Sequence, residues 1–543
     1  MHARLLPMGP LALVVEVADT GAALALRAHL DPLVERSAGV WSAVDQVVLG
    51  ARSLLVVLRR PTRREEVVRA CQEAALRVDV AVPPESADVV EVEVRYDGPD
   101  LEEVARLTDL SPDEVVQAHT STHWRVGFGG FAPGFAYLVG GDSRLAVPRR
   151  SEPRTSVPAG SVALAGEFSG IYPHASPGGW QLLGSTDAVL WDVDRDPPAL
   201  LAPGRSVRFV ALDAQALSSG PAVPRIADLR EPRGAGGTTR ALDEAGGRGL
   251  EVLATGPLTL VEDTGRPGLA GMGVSRSGAA DPTAYLLGLR LVGHLLDDES
   301  STAATAPASL EVTLGGLSVR AHGDLLVALT GAPCPADVDG RAVPNAAPVA
   351  LANGQVLTLG TPPAGLRTWL AVRGGIAVPP VLGSRSTDTL SRVGPRRPAV
   401  GDVLAVGPAP RTFPVVEAAP QPPPAEGEVV LELDPGPRAD WCDLTELESG
   451  TWSVSSRSNR VGIRLEGKQI HRKSMYADRE LPSEGLVPGA VQVPPGGEPV
   501  VFLADHPVTG GYPVVAVLTT ASVSRAAQLR PGQAVRLRWA SRP

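Results

Sequence analysis

Three arginines fall within six residues in Pro148-Arg149-Arg150-Ser151-Glu152-Pro153-Arg154, and the prolines, with φ fixed near about −65°, limit how far the guanidiniums can spread. A guanidinium presents a planar fork of N–H donors, so such a cluster suits bidentate recognition of a carboxylate or phosphate. Downstream, Gly178-Gly179 would let backbone N–H groups approach an anion without a side chain in the way. Pro-Gly turns are also the ordinary punctuation between strands, so from residue chemistry alone a barrel turn and a binding site both stay open. Other chemistries are short of residues. Of the 50 basic residues only Lys468 and Lys473 are lysines. There is no G-x-x-x-x-G-K-[ST] phosphate loop, no Met-Lys-Met setting for biotin, and nothing for Schiff-base or Ser-Ser-Lys amidase catalysis. G-x-S-x-G, H-E-x-x-H and Gly-Gly-Ser-Ser-Gly-Gly are missing too. Cys71, Cys334 and Cys442 lie far apart, which indicates neither a disulfide framework nor a zinc knot. His119 and His123 have i, i+4 spacing, but Thr120-Ser121-Thr122 ends the helix there, so no metal pair is predicted. Trp180, Trp191 and Trp369 are spaced as barrel core.

The elements that must position these groups follow from the rest of the chain. At 543 residues, with 43% hydrophobic and 20% charged, several folded domains are expected. The 59 glycines and 52 prolines favour short strands joined by turns over long helices. A net charge of −10 gives no electrostatic footprint for nucleic acid or an anionic membrane. The run Leu5 to Val17, interrupted by Pro7, Pro10 and Glu16, reads as a strand rather than a signal peptide, and no apolar stretch reaches the ~18 residues of a membrane span. A soluble cytoplasmic protein is expected. Residues 1–82 read as a small α+β unit, with strands at Leu11 to Val17 and Ser53 to Leu58 and helices at Thr20 to Leu33 and Thr62 to Leu76. Pro83 to Ser86 is a join, and Ser111-Pro112-Asp113-Glu114 is a capping box opening a helix towards His119. Residues 87–212 read as a barrel, 213–249 as a flexible Gly-rich linker, and 250–407 and 428–543 as two lobes separated by a Pro-rich break at Pro408 to Gly427. A weak repeat, Pro203-Gly204-Arg205-Ser206-Val207 against Pro531-Gly532-Gln533-Ala534-Val535, places the same turn before a closing strand in both halves.

The segment Phe131-Ala132-Pro133-Gly134-Phe135, Val157-Pro158-Ala159-Gly160-Ser161-Val162 and Tyr172-Pro173 through Ser176-Pro177-Gly178-Gly179-Trp180 closely resembles the B subunit of 5-oxoprolinase, a family also known as allophanate hydrolase subunit 1 or the inhibitor half of a sporulation-kinase regulatory pair. The second half resembles the C subunit of the same enzyme, or allophanate hydrolase subunit 2. Its matching strings are Val261-Glu262-Asp263-Thr264-Gly265-Arg266-Pro267-Gly268, Gly273 to Asp281, Leu310-Glu311, Leu382-Gly383-Ser384-Arg385-Ser386-Thr387, Ser458-Asn459-Arg460, Ala504-Asp505-His506 and Thr509-Gly510-Gly511-Tyr512-Pro513. The resemblance implies a mainly β protein with α+β parts: cyclophilin-like β-barrels in both halves, a small N-terminal α+β domain, and a natural fusion of two otherwise separate chains. Two departures bear on the substrate. Gly184-Ser185-Thr186 stands where the family usually has Gly-Arg-Thr, and Thr520-Ala521-Ser522-Val523 lacks the Asp usual before the final Gln-Leu-x-Pro-Gly.

The activity so implied is ATP-dependent opening of 5-oxo-L-proline to L-glutamate with a separate A subunit, using ATP and Mg²⁺ bound with or by that partner, and no biotin on this chain. Phosphorylating an amide oxygen needs positive charge and positioning more than covalent help. On that reading Arg149, Arg150, Arg154, Arg266 and Arg276 would supply charge. Asp263, Asp281 and Asp505 would hold Mg²⁺ or polarise a nucleophile. Tyr172, His174 and His506 would handle protons or donate to substrate, with Gly178, Gly179, Thr509, Gly510, Gly511 and Tyr512 shaping the substrate site; no metal-ligand set of the protein's own is expected. Two other readings go with the family: a regulatory protein that inhibits a histidine kinase, and a carboxyltransferase-like domain served by a biotinylated partner, as in urea carboxylase. A homo-oligomer fits any of them.

Overall fold

The computed structural model describes residues 1–78, 88–212, 247–295, 306–413, 416–422, 424–477 and 479–540. The expected join at Pro83 to Ser86, and all of the expected linker up to residue 246, lie outside these residues. Gly249, assigned above to the linker, already opens a strand, Gly249–Thr255.

Residues 4–58 build a four-stranded antiparallel sheet in the order Arg4–Pro7, Ala12–Glu16, Ser53–Leu58, Val44–Leu49. The apolar run from Leu5, expected as one strand, is therefore a hairpin, turned at Gly9 with φ +68°. Helices Thr20–Glu35 and Arg64–Arg77 cover one face, where Leu26, Leu30, Val67 and Cys71 meet Leu13, Val15, Leu54 and Val56. Side chains alternate across a strand, so Leu6, Val14, Val48 and Leu55 face the other way, onto Leu486, Ala490, Phe502, Val514 and Val517 of the C-terminal lobe. After Ser53 the strand Ser53–Leu58 is apolar throughout because both its faces are covered.

A seven-stranded sheet follows, in the order Gln181–Ser185, Ser161–Ala165, Phe168–Ile171, Ala136–Val139, Trp124–Gly129, Ser206–Ala211, Val89–Val94, its first and last strands in sequence lying parallel. A bridge from Arg95 to Ser185 joins the two edges into a barrel. Helix Pro112–Ser121 starts at Ser111 with both hydrogen bonds of the capping box formed. It ends below His119, whose Nδ1 lies 2.7 Å from Tyr96 Oη and whose Nε2 lies 2.9 Å from Ser169 Oγ. Burial drives this imidazole down to about 3, and His123 is exposed, so the two histidines do not face one site.

Residues 249–405 form two stacked sheets of six and five strands around an aliphatic core, with helix Pro282–Leu291 on the outer face of the five-stranded one. The Pro-rich break is tied down across this lobe: Ala419 N–H donates to Ala346 O at 2.8 Å, Gln421 brackets Gly331, and Arg373 lies 4.0 Å from the centre of the Phe413 ring. The last lobe is a closed barrel in the order Val429–Pro435, Val514–Leu518, Ala490–Gln492, Val500–Phe502, Gly462–Glu466, Trp452–Val454, Ala534–Trp539. Counted along the chain, its strands run in the spatial order first, sixth, fourth, fifth, third, second, seventh, the same circuit as the first barrel. The weak repeat at Gly204 and Gly532 marks the entry to the seventh strand of each. No helix among the described residues is long and apolar enough to cross a membrane.

Candidate functional site

Strand Leu258–Glu262 runs into a tight loop whose conformation its own residues dictate. Gly265 has φ +82°, and a Cβ there would stand 2.4 Å from the carbonyl oxygen of Arg276, so only glycine lets the two segments cross. Asp263, fully buried, accepts from Gly265 N at 2.8 Å, from the hydroxyls of Ser384 and Ser386 at 2.6 Å each, and from Arg385 N at 2.6 Å. The next turn of that partner segment continues the pattern. Asp388 accepts from the hydroxyls of Ser275 and Ser391 and from Leu390 N, while Thr389 donates to Asp505 through both N (2.9 Å) and Oγ1 (2.6 Å). Asp505 also accepts from Ser277 Oγ at 2.7 Å. Thus one loop, 384–391, binds together the Asp263 and Asp505 motifs that lie far apart in sequence.

Arg460 is the cation at the centre. Its guanidinium reaches Asp505 at 3.0 Å, both oxygens of Glu311 at 2.6 Å and Gly278 O at 2.7 Å. Burial opposes ionisation of Asp505, but Arg460 and the Thr389 donors outweigh it and hold its carboxyl below the usual range. Glu262 fares differently. It lies 3.3 Å from Arg460 yet accepts no hydrogen bond at either oxygen, and burial pushes its carboxyl well above the ordinary value. Arg266, 1% exposed, donates one N–H to Ser386 O and leaves Nε and Nη1 without partners. Burial lowers its guanidinium from the ordinary value, the surrounding carboxylates opposing it. A buried donor or acceptor left unpaired costs about 1–3 kcal/mol, more when charged, so these two charged side chains are places where the interior can still hydrogen-bond something else.

Other residues singled out in the sequence occupy different surroundings. Asp281 is the N-cap of helix Pro282–Leu291, accepting from Ala284 N at 3.1 Å and Gln528 Nε2 at 2.8 Å, with its carboxyl raised by burial. His506 is buried with Nδ1 2.8 Å from Pro507 O, its imidazole lowered by burial. Thr509–Gly510 pairs with Glu484–Gly485 beneath the N-terminal sheet, and Tyr512 is half exposed with its carbonyl held by Gln492. Arg276 is on the surface and bonds Asp45 at 2.6 Å. Asp263, Asp281 and Asp505 have their oxygens occupied by internal donors, and among the described residues no group of three or more His, Cys, Asp or Glu side chains is arranged to hold a metal. These residues do not fit an Mg²⁺ ion, and no step is assigned to one.

In the first barrel, Arg150 and Arg154 both reach Asp100 at 2.8 Å, and Asp100 accepts Leu182 N as well. Burial of Asp100 disfavours its charge, but Arg154 and Leu182 N–H prevail and lower its carboxyl. Arg149 is exposed. Tyr172 is buried, its phenol pushed up to about 12, and a Cβ on Gly178 would stand 2.2 Å from its Oη, so glycine is required there to admit the ring. Gly179 has ordinary room for a Cβ. Burial and the nearby charge of Arg392 lower the His174 imidazole, so the 384–394 loop also reaches this side of the molecule.

Sequence reasoning passed over Glu262, Glu311, Asp388, Arg460 and Asp100. A usable signal existed for two of them: Glu311 sits between Leu310 and Val312, and Glu262 ends the apolar run Leu258–Val261, and a charge inside a buried strand demands a partner.

The family models described as carboxyltransferase domain, subdomain C and D, and carboxyltransferase domain, subdomain A and B, match residues 3–201 and 272–539. The 5-oxoprolinase C subunit of Escherichia coli (strain K12) is 39% identical over 292 residues, covering 53% of this chain and 89% of that protein. The 5-oxoprolinase B subunit of Escherichia coli O157:H7 is 40% identical over 217 residues, covering 38% of this chain and 96% of that protein. Among solved structures, the crystal structure of TTHA0988 superposes with a TM-score of 0.79 at 32% identity, covering 97% of this chain and 99% of its own.

Proposed function

The chain belongs to the carboxyltransferase-domain family, with subdomains C and D followed by A and B in one polypeptide, and from that premise we propose that it is a fused B–C component of an ATP-dependent 5-oxoprolinase. It would open 5-oxo-L-proline to L-glutamate together with a separate A subunit, which would hold, alone or jointly, the nucleotide and its Mg²⁺. The observation that carries this is the succession, in one chain, of a stretch similar to a 5-oxoprolinase B subunit over 96% of that protein and a stretch similar to a C subunit over 89% of that protein.

The chemistry asks for polar groups in a dry interior. Transfer of a phosphoryl group from ATP to the lactam oxygen, with loss of the N–H proton, makes the ring carbon electrophilic. Water adds there, the carbon–nitrogen bond breaks to free the amine, and a second water hydrolyses the acyl phosphate; one ATP and two waters give glutamate, ADP and phosphate. Arg266 supports charge on an oxygen through its two unpartnered nitrogens, Nε and Nη1, in surroundings where such a bond is stronger than in water. Glu262, whose carboxyl burial raises well above the ordinary value, has an O–H to give when protonated and accepts a proton when ionised. The network of Arg460, Asp505 and the 384–391 loop holds both in place. Mixing the purified chain with its A subunit, ATP, Mg²⁺ and 5-oxo-L-proline should release glutamate; release no greater than from either component alone would reject the proposal.

A further inference from the structure

The two barrels share more than a circuit. Each carries a short two-stranded ribbon, Arg154–Val157 with Ser176–Gly178 in the first and Glu484–Gly485 with Thr509–Gly510 in the second. After the first strand of each, a Gly-Pro pair turns onto the sixth strand. Gly98 N donates to Leu183 O at 3.0 Å and Asp100 N to Leu182 O at 3.1 Å; Gly436 N donates to Val515 O at 3.0 Å and Arg438 N to Val514 O at 3.0 Å. Asp100 and Arg438 therefore occupy equivalent positions. So do Arg154 and Glu484, each three residues before a Val-Pro pair, Val157-Pro158 and Val487-Pro488. Asp100 pairs with Arg154, and Arg438 pairs with Glu484: one ion pair is the other with its charges exchanged.

The equivalence exposes a difference. In the second barrel the N-terminal sheet lies over the ribbon and brings a third charge, Glu16, 2.6 Å from Arg438, so that one guanidinium serves two carboxylates. In the first barrel the arrangement is reversed, and one carboxylate, Asp100, serves two guanidiniums. Arg154 Nη1 and Arg150 Nε lie buried with no hydrogen-bond partner, while Thr155 and Ser156 on the same ribbon are exposed. Nothing in the chain plays toward this pair the part that Glu16 plays toward the other among the described residues. Beside Arg154 opens a cavity of about 320 Å³ lined also by Asp97, Ser156, Ser161 and Ser185, with Asp97 accepting the Ser185 hydroxyl at 3.0 Å.

We infer that this cavity is a binding site for a small carboxylic acid that also carries an N–H group, its carboxylate taking the guanidinium of Arg154, the cation that lines it. On one wall the guanidinium of Arg154 attracts the anion, and with Nη2 already fixed on Asp100 it is pre-oriented to receive it. Asp97 on the opposite wall disfavours a plain anion but accepts from an amide or ammonium N–H. A lactam acid or an amino acid meets both walls; the choice of 5-oxo-L-proline and L-glutamate as probes rests on the proposed function.

Calorimetric titration of the full chain with 5-oxo-L-proline, L-glutamate and 2-pyrrolidinone tests the site. At least one of the two acids should bind, and 2-pyrrolidinone, which lacks the carboxylate, should bind at least tenfold more weakly than 5-oxo-L-proline. Arg154→Gln should weaken acid binding at least tenfold. Ser156→Glu should do the same by placing an internal carboxylate against Arg154, and it removes no bond of the present structure, so a folding defect does not explain its effect. Failure of both acids to bind, or affinities unmoved by both substitutions, overturns the site. Glutamate release with the A subunit separates this from the proposed function. Acid binding that Arg154→Gln and Ser156→Glu weaken, without glutamate release, keeps the site and rejects the function, whereas glutamate release together with acid affinities unmoved by both substitutions keeps the function and rejects the site.

Discussion

At the scale of residues, Glu262 and Arg266 differ from the charged groups around them in one respect: neighbours are close but do not complete their hydrogen bonds. For Glu262 this has a consequence for pH. Its folded-state carboxyl titrates above its unfolded value, so the folded protein holds a proton there that the unfolded chain releases; the associated stability is fully present below about pH 4 and is lost as pH rises through the raised pKa. Glu262→Gln keeps the shape and removes the titration. Scanning calorimetry from about pH 5 to 9 should show the wild-type melting temperature falling relative to the variant, and parallel curves would contradict the assignment. Arg266 makes the catalytic counterpart: in the reconstituted system Arg266→Gln should lower kcat by about 10²-fold with KM little changed, as expected for a donor used in the transition state, and a change confined to KM would assign it to binding instead.

At the scale of elements, local signals were legible and closures were not. Ser111-Pro112-Asp113-Glu114 announces a helix because every group of a capping box lies within four residues, and the box is formed with Ser111 Oγ accepting Glu114 N. Ser111→Ala should cost about 1 kcal/mol in denaturant titration, with m unchanged. The closing of the first barrel depends instead on Arg95 meeting Ser185, ninety residues away, and on Gly184, whose Cβ would stand 2.1 Å from Arg95 O. In the sequence Gly184 is one glycine among many. Gly184→Ala should therefore destabilise by about 1–3 kcal/mol or more, since backbone rather than a side-chain end must move, and a neutral effect would mean the strands meet less closely. The 384–391 loop was hidden for a related reason: Ser384, Ser386 and Thr389 act by closing on carboxylates that lie about 120 residues before and after them, a pairing that no spacing within the loop reveals. The hairpin at Gly9 was missed because Pro7 and Pro10 interrupt the run without showing that it reverses.

At the scale of the whole molecule, the B-like half of the chain supplies the lid of the C-like half. The N-terminal sheet sets Leu6, Val14, Val48 and Leu55 on the second barrel, and Glu16 crosses the same boundary to Arg438. A sheet face this apolar would be exposed if the halves were apart. Residues 1–212 and 247–543, produced as separate chains in one cell, should therefore purify as a one-to-one complex without the intervening segment. Arg438→Met tests the polar part of the contact. The substitution leaves Glu484, already raised by burial, facing Glu16 across the boundary with no cation between them, and should weaken the complex by about tenfold or more in Kd. Sedimentation of the two-chain protein decides it: separate species at micromolar concentration, or an Arg438→Met complex as tight as the wild type, would place the stabilising contact elsewhere.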